Sequence, residues 1–132
     1  MLIFVQLEPQ EAPWSYREVG NAELFVRADA QTEGNDATTR IYRVLATVPY
    51  GRVITYGDLA QMAGYPRAAR LAGQTLRKLP RDTKLPWHRV INAQGRISLP
   101  EPDAARQRAR LEREGIFLHN GRVDLLKYRW QP

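Results

Sequence analysis

From residue 40 onward, apolar residues recur at helical spacing between short polar, Pro or Gly breaks. Ile41, Val44, Leu45 and Val48 fall at i, i+3, i+4 and i+7, one face of a helix. Pro49-Tyr50-Gly51 ends that pattern, and "RVIT" follows as a short extended piece. Thr55-x-x-Asp58 has the form of a capping box: the Thr55 hydroxyl can accept from the amide near Asp58, and Asp58 can reach back. The spacing predicts a helix through Leu59, Ala60 and Met62 to Gly64, a favoured residue just past a helix end. Pro66 is expected at the first position of a second helix running to about Lys78 and stopping near Pro80.

Two short helices joined by a Gly-containing turn form a helix-turn-helix. At 100° per residue, Arg67, Arg70, Gln74 and Arg77 share one face of the second helix, while Ala68, Ala72, Leu76 and Leu79 lie on the other. Ala69 and Gly73 flank the polar stripe, small enough to let the helix backbone approach a groove. The same stripe also fits an ordinary amphipathic helix with a solvated basic face. Downstream, "VINAQGRIS" reads as a tight hairpin or wing around Gly95, and Asp103–Glu114 as an Arg-rich helix. "IFLHNGRV" reads as a second hairpin with an Asn120-Gly121 turn, and "DLLKYRW" closes the chain against the body. The expected fold is mainly α: a winged helix-turn-helix-like domain over residues 37–132 with small β-hairpins. Residues 1–36 differ. They hold two strand-like runs, "LIFVQL" and "AELFVR", and then "AQTEGNDATT", a linker or helix lead-in. They are expected to form a short N-terminal extension.

Charge separates the same two segments. Residues 1–36 carry two basic and seven acidic side chains, whereas residues 37–132 carry 18 basic and seven acidic ones. The body is therefore +11, much more basic than the chain's net +6. Of the 20 basic residues 17 are Arg, which forks onto phosphates and stacks on bases better than Lys. A polyanion is the natural partner, nucleic acid above all.

There is no Cys, which removes disulfides, thiolate metal sites and thiol nucleophiles. With His88 and His119 the only histidines, neither a metal nor another cofactor is expected. No run of 18 apolar residues occurs, and the first residues lack the basic start and cleavage site of a signal peptide. A cytoplasmic protein without membrane association is expected.

"LPWHRV", Leu85 to Val90, poses a chemical puzzle. His88 is placed as a general base, but its neighbour is Trp87, neither a useful acid nor a nucleophile at neutral pH. The blocks "VPYGRVITYGDLAQMAG", "RAARLAGQTL", "LPWHRVINAQG" and "LEREG" occur in order. Together they resemble the DNA-binding domain of O6-alkylguanine-DNA alkyltransferases over about residues 40–116. The reactive motif of that family is Pro-Cys-His-Arg-Val; this chain has Pro86-Trp87-His88-Arg89-Val90. The substitution resembles the alkyltransferase-like subfamily, which has Trp at the reactive position.

The resemblance implies a residue-by-residue site. His88 and Glu114 match the relay that draws the proton from the family's Cys, so the relay is present and the nucleophile absent. Trp87 becomes a pocket wall suited to pack against an O-alkyl group, with Pro86, Arg89 and Val90 completing the pocket loop and Ser98 at its rim. Arg70 matches the arginine that enters the base stack when a nucleotide is flipped. Tyr56 matches the tyrosine that presses on the adjoining phosphate. Ala69, Ala72 and Gly73 match small helix residues facing the minor groove, with Arg67 and Gln74 beside them. Where the family has Asn-Pro before the reactive loop, this chain has Leu79-Pro80, which suggests a looser pocket.

The implied protein is a monomeric, non-enzymatic sensor that binds O6-alkylguanine in double-stranded DNA and hands it to nucleotide excision repair proteins. Two other readings stay open on the residues. One is a transcription regulator using the helix-turn-helix in the major groove. The other is an enzyme in which His88 and Glu114 activate water.

Overall fold

The computed structural model describes residues 36–132; the strand-like runs and residues 30–35 of the lead-in lie outside the described residues, and the last four residues of the lead-in open the first helix. Helix α1 spans Asp36–Thr47 and ends where Pro49 would break it. Its apolar stripe behaves as the spacing predicts: Ile41 and Leu45 are fully buried, and Val48 just beyond is buried too. They meet Ile54, Leu59, Ala60, Ala63, Ala72 and Val90 in the larger of two cores. Full removal of the Ile, Leu and Val side chains among them from water stabilises by roughly 1.5–3 kcal/mol each.

Strand β1 (Ile54–Thr55) leads directly into α2 (Tyr56–Met62). Thr55 caps that helix, its hydroxyl accepting from the Asp58 amide at 3.0 Å. At the other end Gly64, at φ +98°, donates to the Gln61 carbonyl while Tyr65 donates to Ala60, so the last carbonyls of the helix are satisfied. Helix α3 is shorter than its sequence pattern predicts, Ala69–Arg77. Pro66 does not open it. Arg67 takes φ +62°, in the left-handed region, and turns the chain out of helix before Ala68. Arg67 therefore stands in the turn and not on the helix face.

The expected first hairpin is corrected as well. After a single 3₁₀ turn at Trp87–Arg89, strand β2 (Val90–Ile91) pairs in parallel with β1, in register Ile54–Val90 and Thr55–Ile91. What remains of the hairpin is a closed turn, with the Asn92 side chain accepting from the amides of Gln94 and Arg96. Gly95 is required there: it has φ +81°, and an added Cβ would lie 2.7 Å from the Val123 carbonyl oxygen. The second hairpin is a single bridge, His119–Arg122, turned by Asn120 and Gly121 at φ 55° and 76° as an Asn-Gly turn demands.

Helix α4 (Asp103–Arg113) ends at Glu114 and Gly115, with Leu111 and Ile116 buried together beneath the turn. A short α5 (Leu125–Tyr128) follows. The segment after it lies along β1: the Val53 amide donates to Tyr128 and the Trp130 amide donates to Val53. The fold is mainly helical, with a helix-turn-helix and a small parallel pair of strands. Among the described residues no helix is long and apolar enough to cross a membrane, and no cluster of His, Cys, Asp or Glu could hold a metal.

Candidate nucleic-acid interface

Seven of the sequence-predicted residues meet in one open groove of about 850 Å³. Helix α3 supplies Ala69, Arg70, Gly73 and Gln74; Tyr56 comes from the start of α2, Trp87 from the 3₁₀ turn and Ser98 from the segment before α4. Arg70 and Gln74 are exposed. Gly73 faces the Tyr56 ring, where an added Cβ would make an ordinary contact with Tyr56 Cδ1 at 3.9 Å. Ser98 Oγ donates to Tyr56 Oη at 3.4 Å, tying the rim to the ring. Arg77, Arg81 and Arg106 add charge to the same lining, with Asp103 as its carboxylate. The groove is cationic, with one half-buried indole in its wall.

Other predicted residues lie elsewhere. Ala72 is fully buried in the larger core, a correction to its expected place facing the groove. Arg67 is exposed in the turn before α3 and is not part of the lining. Pro86, His88 and Arg89 border a second cleft of about 570 Å³, with Ala46, Lys84 and Arg110. Val90 is buried in β2, and Glu114 lies behind the loop at the end of α4. The expected pocket set is thus split. Successive side chains of a 3₁₀ turn leave the axis about 120° apart, and here Trp87 faces the groove while His88 and Arg89 border the second cleft. Arg81 and Thr83 line both cavities, so the loop before Trp87 forms a shared wall.

His88, Arg89 and Glu114 form a tight charged cluster. His88 Nε2 lies 2.6 Å from Glu114 Oε2, and Arg89 donates to both carboxylate oxygens at 2.8–3.1 Å. The Gly51 amide donates to Glu114 Oε1 at 2.8 Å, and Arg89 Nη1 to the Val48 carbonyl at 2.8 Å. Burial pushes the Glu114 carboxyl up, but hydrogen bonds from Arg89, Gly51 and His88 outweigh it and hold it at about 2. Burial pushes the His88 imidazole down from 6.5, against the upward pull of Glu114. At neutral pH the pair is therefore carboxylate and neutral imidazole. Nε2–H donates to Glu114, and Nδ1 keeps a buried lone pair with no partner among the described residues. Burial of that lone pair disfavours adding a proton to it. Its neighbour Trp87, edge-on at 6.2 Å between ring centroids, offers none of use.

Gln107 was not singled out in the sequence. It is 1% exposed, and its Nε2 donates to the carbonyls of His88 (3.0 Å) and Val90 (2.7 Å), fixing the loop that carries Trp87. A signal existed: Gln107 falls with Ala104 and Leu111 at i, i+3, i+7 on the buried stripe of α4, where an amide must bond something. Arg106 and Arg110 were missed too; their guanidinium carbons lie 5.1 and 5.4 Å from the Trp87 ring centroid. The Asp58–Arg129 fork, with both bonds at 2.9 Å, joins residues too far apart in sequence to be paired by pattern.

A helix-turn-helix with a cationic, aromatic-walled groove and an imidazole–carboxylate pair lacking a thiol defines a DNA-binding domain of the alkyltransferase kind. Residues 36–116 match the family model described as 6-O-methylguanine DNA methyltransferase, DNA binding domain. The chain belongs to that family. It is 44% identical over 110 residues to the DNA base-flipping protein of Escherichia coli K12, covering 83% of this chain and 85% of that one. It is 40% identical over 101 residues to alkyltransferase-like protein 1 of Schizosaccharomyces pombe, covering 71% of this chain and 94% of that one. Among solved structures, that of S. pombe Atl1 in complex with damaged DNA containing O6-carboxymethylguanine superposes with a TM-score of 0.68 at 38% identity, covering 74% of this chain and 96% of that chain.

Proposed function

We propose that this chain is a non-enzymatic sensor of O6-alkylguanine in duplex DNA. It approaches from the minor groove with α3, inserts Arg70 into the base stack, and holds the flipped base against Trp87. Tyr56, beside Gly73 and tied to Ser98, presses on the neighbouring phosphate. Arg67, outside the groove in its exposed turn, contributes a backbone phosphate contact. The observation that carries this reading is that the groove is walled by an indole and not by a thiol, while the imidazole–carboxylate pair behind the loop is intact. A site that grips an alkylated base but cannot accept the alkyl group gives a persistent complex as its output. That complex, formed by a monomer in the cytoplasm, marks the lesion for nucleotide excision repair. A DNA base-flipping protein and an Atl1 complex with damaged DNA among its relatives support the reading.

A gel-shift comparison of duplexes with one O6-methylguanine or one guanine tests it, followed by mass spectrometry of protein and DNA. The modified duplex is expected to bind more tightly and both partners to keep their masses. An alkyl group gained by the protein, or guanine restored in the DNA, would overturn the proposal. A sequence-dependent footprint indifferent to the lesion would instead make the protein an operator-reading regulator.

A further inference from the structure

We infer that Arg106 ranks O6 substituents by charge, favouring an adduct that ends in a carboxylate over a neutral one of the same size. The inference rests on the groove being the alkylguanine site. Two guanidinium groups lie over the Trp87 ring, those of Arg106 and Arg110. They differ in what else they border. Arg106 lines the groove with Trp87, Ser98 and Asp103, whereas Arg110 lines the second cleft. Of the two, Arg106 is the one that brings a cation to the reading side of the indole.

An arginine over an aromatic ring spends its π face there and keeps its in-plane N–H groups for oxygen acceptors. Arg106 Nη1 donates to Asp103 Oδ1 at 2.9 Å, and no other hydrogen bond involves its guanidinium among the described residues. A guanidinium has five N–H donors, so further donors remain. The side chain is 33% exposed, shielded enough for its field not to be lost to solvent. The charged lining of the groove is Arg70, Arg77, Arg81 and Arg106 against Asp103, so an anion entering it is not repelled. A substituent laid on the indole comes to the ring that Arg106 covers. A carboxylate there gains a charge-assisted hydrogen bond; an alkyl or amide group leaves Arg106 with Asp103 as before.

The test uses the full chain and three duplexes alike except at one base: guanine, O6-carboxymethylguanine and its uncharged carboxamide analogue. The wild type is expected to bind the carboxylate about tenfold more tightly than the carboxamide, the scale of one charge-assisted hydrogen bond in a partly solvated site. Arg106→Gln should bring that ratio near one, any loss from looser packing of Trp87 falling on both adducts alike. Arg110→Gln should keep the ratio, and Asp103→Asn, which removes the competing carboxylate, should raise it. Equal wild-type affinity for the two adducts overturns the role of Arg106 and leaves the sensor reading standing. So does a ratio that survives Arg106→Gln or is lost in Arg110→Gln. If neither adduct binds better than guanine, the sensor reading fails and this inference with it.

Discussion

Trp87 gains its place from its neighbours. Gln107 holds one carbonyl within the 3₁₀ turn (His88) and one just after it (Val90), and Arg106 and Arg110 cover the ring, so the indole is fixed before any ligand arrives. Rigidity of this kind turns stacking area into affinity because little side-chain freedom is left to lose. Trp87→Ala should therefore weaken binding to an O6-alkylguanine duplex by about 1–3 kcal/mol, the range for base–aromatic stacking. The loss for undamaged DNA should be much smaller. Fluorescence anisotropy titrations with both duplexes check this, and an equal loss for the two would reduce Trp87 to a packing residue.

The buried cluster behind the loop makes a separate statement about pH. Glu114, held at about 2 instead of 4.5, adds stability that is complete above pH 4.5 and lost as pH falls toward 2. With solvent screening allowed for, that amounts to about 2 kcal/mol. His88 is depressed below 6.5, so the unfolded chain takes up a proton there that the folded chain refuses, and stability again falls on acidification. Both slopes run the same way. Urea midpoints should be level above about pH 6.5 and decline steadily below it, with Glu114→Gln removing the steeper acid limb. A midpoint unchanged down to pH 4 would contradict this assignment.

Between α2 and α3 the chain is turned by a residue that is not glycine. Arg67 at φ +62° occupies a region that costs an L-residue roughly 1–2 kcal/mol. Glycine would remove that strain but restore freedom to the unfolded chain, worth about 0.4–1 kcal/mol in the other direction. Arg67→Gly should thus raise stability by about 0.5 kcal/mol while lowering affinity for every duplex alike, as loss of a phosphate contact would. Thermal melts and anisotropy on the same variant check both halves. A variant less stable than the parent would show that the Arg67 side chain holds the turn. This turn also shows where the sequence stops being informative. The apolar stripe of α1, the Thr55 cap and the glycine ends of α2 and α4 are local rules, readable from spacing and residue type. Pro66 followed by Arg67 looks like a helix start under those same rules, and only the packing of α3 decides otherwise. The parallel pairing of β1 with β2 was hidden for a similar reason: two-residue strands carry no periodicity. The groove residues were legible through motif resemblance, but motif order could not separate Trp87 from His88 onto two cavities, because that depends on how the loop packs against α3 and α4.

At the scale of the molecule, affinity for plain DNA should be set by charge. Arg67, Arg77, Lys78 and Arg81 are exposed on and around the groove, apart from Arg70. If each neutralises one phosphate at a slope of about −0.9, the logarithm of the binding constant should fall with the logarithm of salt concentration at about −4. Titrations from 50 to 200 mM salt read that slope directly, and a value near zero would remove the electrostatic account.

Residues 53–55 are bordered on one side by a strand that begins 36 residues later, at the Ile54–Val90 pair, and on the other by a segment 76 residues later, at the Val53–Arg129 bridge. Arg129 also forks onto Asp58 in the first turn of α2. A nascent chain that has emerged as far as α3 therefore has its helix pair but neither flank of β1. Closing such distant contacts is the slow part of folding. Lesion recognition should thus mature in one late step, when the carboxy-terminal segment settles, and a ribosome stalled a few residues short of Arg129 would display the helices without a competent reader.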